Sequence, residues 1–151
     1  MLLQCCNLTL STYSPRQPLD PEHNFTKAAG FIRSAAVQGA ELVVLPEYHL
    51  TNWLPKDPSF AGLCDQWETY LKRYQELAKE CGICVVPGTI VEGHRGEEQE
   101  EDRLLNVAYF IGKEGEIVGK YVKKNLWYVH HCSFHESPSS SLLNTAPVHH
   151  L

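Results

Sequence analysis

No stretch of this chain approaches the roughly 18 consecutive apolar residues of a membrane-spanning helix. Nor is there an excess of positive charge. The 13 Lys and Arg residues stand against 18 Asp and Glu, for a formal charge of -5 and a pI near 5.9. That balance argues against a nucleic-acid partner, which requires a basic stripe for phosphates. The opening Met-Leu-Leu-Gln-Cys-Cys has no basic flank, and its apolar run is too short for a secretory leader. The six cysteines, at positions 5, 6, 64, 81, 84 and 132, show no disulfide framework. The expectation is therefore a reduced, cytoplasmic protein with no membrane partner. The sequons at Asn7–Thr9 and Asn24–Thr26 then read as chance matches. What remains is 151 residues that are 43% apolar and 21% charged. Such a composition excludes a fibre, a collagen, a disordered chain or a small disulfide scaffold, and is sufficient for one globular domain.

Charge is unevenly placed. Every Lys and Arg lies between Arg16 and Lys124, and only Glu136 carries negative charge after Glu116. Residues 128–151 hold five of the eight histidines and five serines, with Ser137-Pro138-Ser139-Ser140-Ser141 in linker chemistry. A disordered C-terminal tail is expected there.

Within the body, Asp20-Pro21-Glu22 is a helix start: a capping acid, a proline where no N–H is needed, and an acid favoured by the helix dipole. Phe25, Ala28, Ala29, Ile32 and Ala36 recur at helical spacing, and Gly39 supplies the stop. Leu42-Val43-Val44-Leu45, ended by Pro46, predicts a strand buried on both faces. A second helix carries Trp67, Tyr70, Leu71, Tyr74, Leu77 and Ala78 on one side and ends at Gly82. Ile83–Val86 predicts another buried strand, and Gly93–Arg103 a solvated acidic loop. Leu104–Ile111 and Ile117–Val122 predict a hairpin joined through Lys113-Glu114-Gly115-Glu116. The fold class is α/β with a mixed sheet.

Glu47 follows the carboxyl end of a buried strand, where α/β folds place ligands, and can serve as a general base. By itself it also reads as a strand-ending acid facing water. Lys123 closes the last strand and can stabilise an oxyanion, although beside Lys124 it equally reads as a solvated edge. Cys81 and Cys84 with Cys132 and His135 offer four zinc ligands, but the first two also fit as small apolar residues.

The order helix, Gly39-Ala40-Glu41-Leu42-Val43-Val44-Leu45-Pro46-Glu47, helix, Val85-Val86-Pro87-Gly88, hairpin, Tyr121-Val122-Lys123 resembles the nitrilase, or carbon-nitrogen hydrolase, superfamily. Tyr48, Leu50, Asn52 and Trp53 look like its fungal nitrilase-like members. The resemblance covers about Leu8 to Trp127, the amino-terminal half of such an enzyme. It implies half of an αββα sandwich with helices on one face of a mixed sheet. It further implies no cofactor and no metal, and nitrile or amide substrates hydrolysed by a Cys, Glu, Lys triad. Glu47 matches the family's general base and Lys123 its catalytic lysine. Tyr48, Asn52 and Trp53 follow Glu47 closely enough to line a pocket, and equally read as packing and a solvated turn.

The nucleophilic cysteine of the resemblance would follow the lysine by about 35 residues in a strand-to-helix elbow. Only 28 residues follow Lys123, and Cys132 has no apolar strand before it. The expectation is residues 1–127 as a partial domain, an unrelated segment 128–151, and a chain truncated before its nucleophile and inactive alone. A non-catalytic fragment that associates with a second copy or with a full-length relative is the alternative, and a zinc protein a further one.

Overall fold

The computed structural model describes residues 19–96 and 102–124. The tail, Cys132, His135 and the junction at Trp127 lie outside them. Helix α1 (Pro21–Val37) starts as the sequence predicts, with the Asp20 carboxylate accepting from the His23 N–H at 2.9 Å. Gly39 follows its end at φ +82°. Strand β1 (Leu42–Val44), the five-residue helix α2 (Phe60–Cys64) and helix α3 (Trp67–Cys81) come next. Gly82, left-handed at φ +64°, closes α3. Strands β2 (Cys84–Val86), β3 (Thr89–His94), β4 (Arg103–Ile111) and β5 (Ile117–Val122) complete the order.

The sheet is mixed. β1 and β2 are parallel, Leu42 opposite Cys84. β4 is the spine: β3 runs antiparallel to it from Thr89↔Ala108 to His94↔Arg103, β2 meets it at Val85↔Ile111, and β5 forms the expected hairpin with a bulge at Phe110/Ile111. One face is covered by α1 and α3. Ile32, Phe25, Tyr74 and Leu77 pack there on Val85, Ile90, Val107 and Ile111, all nearly or fully buried. Phe25 and Tyr74 meet edge to face at 4.8 Å, and Arg73 lies 3.9 Å over the Phe25 ring while pairing with Glu22. A second pair, Arg33–Glu80, joins the far ends of the two helices. Exposed pairs of this kind contribute little to stability.

The opposite face is occupied at β3, where Phe60 and Cys64 of α2 pack on Val91. Elsewhere it is open among the described residues. Val44, Phe110 and Tyr121 point that way and are 41%, 37% and 61% exposed. This corrects the expectation that β1 is buried on both sides: Val43 packs into the core, whereas Val44 does not. Among the described residues no helix is long and apolar enough to cross a membrane. Asn24, the asparagine of the second sequon, is 4% exposed and donates to the Leu50 carbonyl at 2.8 Å, so that sequon is inside the core.

Candidate active site

Three backbone segments converge at the carboxyl end of β1. Leu45 continues the ladder through its N–H to the Val86 carbonyl at 2.9 Å, and Glu47 bridges to Thr89 in parallel. Thr89 also accepts the Tyr48 N–H on its Oγ1 at 3.3 Å. Close approach of the first two segments depends on Gly88. Its φ is +60°, and a Cβ there would lie 2.0 Å from the Pro46 carbonyl oxygen. The third segment is the end of the hairpin, where the Lys123 N–H donates to the Asn106 carbonyl at 2.9 Å, one residue past β5.

Across this junction the Lys123 ammonium reaches Glu47 Oε1 at 2.5 Å, with the two side chains 27% and 42% exposed. Asn106 Nδ2 donates to the same Oε1 at 3.0 Å and to the Tyr48 hydroxyl oxygen at 2.8 Å. Partial burial raises the Glu47 pKa, but hydrogen bonds from Lys123 and Asn106 and the lysine's charge outweigh it, holding the carboxyl below its usual value. The Glu47 hydrogen bond holds Lys123 above its usual value, against some desolvation. Burial and the Glu47 charge push the Tyr48 phenol up. Near neutrality the site therefore holds a carboxylate, an ammonium and a neutral phenol. Such a set can accept a proton from one group and stabilise developing negative charge on another.

The other residues considered for a pocket lining, Trp53 and Asn52, sit around the Tyr48 ring and its turn. Trp53 stacks beside Tyr48 with centroids 5.3 Å apart and meets Phe60 edge-on at 5.5 Å, so it backs the Tyr48 ring. Asn52, at φ +55°, shapes the turn, its N–H donating to the Tyr48 carbonyl and its Oδ1 accepting from the Trp53 N–H. Tyr48 is itself left-handed at φ +57°, a conformation a bulky side chain rarely takes and one that strained functional loops retain.

His49 was not singled out from sequence. It is buried, with Nδ1 3.2 Å from the Pro46 carbonyl and Nε2 2.6 Å from the Tyr74 hydroxyl. A carbonyl only accepts, so Nδ1 carries the hydrogen and Nε2 accepts from Tyr74. The ring thus joins the loop carrying Glu47 to α3. Asn106, equally unforeseen, looks from sequence like one amide in an apolar strand. Among the described residues no group of three or more His, Cys, Asp or Glu could hold a metal. Of the four residues considered for zinc, Cys81 and Cys84 are free thiols at the amino-terminal end of β2, away from Glu47, and the other two lie outside the described residues. Cys64 is fully buried in α2, and burial pushes its thiol up to about 12, which makes it inert.

With this geometry in place, comparison with known proteins defines the class. A carbon-nitrogen hydrolase family profile matches residues 6–144. The chain belongs to the carbon-nitrogen hydrolase family. It is 35% identical over 116 residues to a nitrilase of Pyrococcus abyssi, covering 74% of this chain and 41% of that one. It is 34% identical over 105 residues to an omega-amidase of Homo sapiens, covering 69% and 35%. A cysteine-to-alanine variant of a Nesterenkonia amidase, solved with butyramide, superposes with a TM-score of 0.61 at 25% identity over 74% of this chain and 41% of that one. The chain thus spans about two fifths or less of the length of these relatives. The family match continues to residue 144, past Trp127, where the resemblance read from the sequence was expected to end.

Proposed function

We propose that the described residues carry the proton-transfer and charge-stabilising part of a site that hydrolyses a non-peptide C–N bond, in an amide or a nitrile. Glu47 is the general base and Lys123 the oxyanion partner. The observation that carries this reading is the 2.5 Å contact of Lys123 Nζ with Glu47 Oε1, built from segments 76 residues apart. Support comes from the relatives, which are nitrilases and amidases by name, one of them solved with butyramide.

In the chemistry this arrangement serves, a thiol gives its proton to the Glu47 carboxylate, and the thiolate attacks the carbonyl or nitrile carbon. The anion formed on the substrate heteroatom is stabilised by the Lys123 ammonium. For an amide, collapse breaks the C–N bond, and Glu47 returns the proton to departing ammonia. Water then attacks the thioester, again losing a proton to Glu47; collapse breaks the C–S bond and frees the acid, and Glu47 returns the proton to the thiolate, which stays on the protein. The neighbouring cation keeps Glu47 ionised and ready for the first step.

No described cysteine lies within this junction. Cys64 is sealed under α2, and Cys81 and Cys84 lie at the other end of the sheet. Our reading is that this half of the site binds short amides without itself releasing ammonia. The test is titration of butyramide into isotopically labelled protein, read at the Glu47 carboxyl and Lys123 Nζ resonances, with ammonia assayed in parallel. Perturbation of both resonances without ammonia is the expected result. Butyramide and short nitriles leaving both resonances unmoved, or ammonia release that survives Glu47→Gln, would overturn the reading.

A second reading is favoured by the open sheet face at Val44, Phe110 and Tyr121. Apolar surface of this kind marks association, and a second copy of this chain or a longer relative is the partner we propose for it.

A further inference from the structure

Asn106 stands between Leu105 and Val107 in β4 and is 1% exposed. A strand interior is an expensive place for an amide unless its hydrogens are used. Here Nδ2 spends its donors on Glu47 Oε1 and on the Tyr48 oxygen, at 3.0 and 2.8 Å. A phenol that accepts from Asn106 turns its own hydrogen elsewhere, and Tyr48 is hydrogen-bonded to Glu47. The same residue's backbone carbonyl receives the Lys123 N–H at 2.9 Å. One residue thus holds the carboxylate by its side chain and the segment bearing the lysine by its main chain. Its Oδ1 is buried without a partner among the described residues. A buried acceptor left in that state is a cost that a leucine of similar size would avoid. The amide is oriented for its donors.

We propose that Asn106 is the positioning residue of the Glu47–Lys123 pair, aiming the carboxylate and registering the lysine so that both address one reacting group. The proposal rests on the hydrolytic reading above. Without Nδ2, Glu47 keeps a flexible lysine and the Tyr48 hydroxyl, and the carboxylate can turn about its terminal torsion. Tyr48 would then lose the donor that orients its hydroxyl. Orientation errors of this scale are costly in a reaction that depends on a near-attack geometry.

The test uses the full chain, labelled with 13C and 15N, and follows the Glu47 carboxyl resonance against pH. In Asn106→Leu the Glu47 midpoint should rise by about 1 pH unit, the loss of one charge-assisted hydrogen bond. In Asn106→Ser, which keeps one donor, it should rise by less. A merely structural role would lower stability and leave the midpoint unmoved. Should the variants fail to fold, the unaltered chain decides. Its Asn106 side-chain N–H resonances should follow the Glu47 titration and lose that dependence in Glu47→Gln. An unchanged midpoint in a folded variant, or N–H resonances silent through the Glu47 titration, would overturn the proposal. None of these readouts needs turnover. If the midpoints move but amides do not bind, the positioning role stands and the hydrolytic reading falls.

Discussion

A methyl group at position 88 would sit 2.0 Å from the Pro46 carbonyl oxygen, and the backbone there is left-handed. Gly88→Ala therefore carries the roughly 1–2 kcal/mol cost of a left-handed L-residue, plus the cost of pushing two backbones apart. Chemical denaturation should show a loss of about 3 kcal/mol, and the Glu47 resonances should move with it. At this scale the sequence was uneven. Glu47 and Lys123 were legible because each ends an apolar strand and both fall in motifs of one family. Tyr48 was legible through its neighbour. Asn106 was not, since one amide in an apolar strand carries no sign of the two partners that justify it. Asn52 and Trp53 were found as neighbours of the site, although whether they line it or support it depends on a turn that forms only in the folded chain.

Strand β5 presents exposed residues nearly throughout and is joined by its backbone to β4 alone among the described residues. Its side-chain anchor is Lys120, whose ammonium reaches the Glu92 carboxylate at 3.2 Å and lies over the Trp67 and Tyr109 rings. Glu92 is fully buried and is also bonded by the Tyr109 hydroxyl and by His94 Nε2 at 2.8 Å. Removing the lysine leaves the buried carboxylate with Tyr109 and His94 but without its ammonium. Neutralising the carboxylate, by contrast, leaves Lys120 and His94 free to reach water. Lys120→Met should therefore cost about 3 kcal/mol and Glu92→Gln distinctly less in urea denaturation. The opposite order would show that the cluster is not what holds β5, and with it Lys123, in place. Among the elements, α1 and α3 were plain in the sequence, because caps and a 3.6-residue period are local signals. β3 was missed: Pro87-Gly88 breaks the apolar run before it, and its buried Glu92 reads as polar. α2, only five residues long, is too short to show a period.

For the molecule as a whole, His49 links folding to pH. Burial lowers its pKa from 6.5 to about 4, the Pro46 hydrogen bond opposing only in part. The unfolded chain thus binds a proton that the folded chain refuses between those values, and stability falls as pH drops from 6.5 towards 4. The loss amounts to about 3 kcal/mol at the lower end. His49→Gln should start from lower stability near neutrality and show a flatter pH dependence over that window. An equally steep dependence would assign the effect to other groups. The carboxylates held low by cationic partners, Glu22, Glu47 and Glu80, lose their contribution only further down, as pH falls through their folded values.

The sequence by itself determined the α/β class, the ends of both long helices, the hairpin, and the two residues most worth testing. All of these depend on neighbours a few positions away, or on a motif read in order. Only the tertiary structure decided that Glu47, Asn106 and Lys123 share one carboxylate oxygen, and that Val44 and Phe110 face outward on the side away from α1 and α3. The physical reason is register. A hydrogen bond between residues 59 or 76 positions apart exists only once β4 has aligned with β3 on one side and β5 on the other. That alignment is set by the packing of the whole sheet on its helices, not by any segment's own pattern.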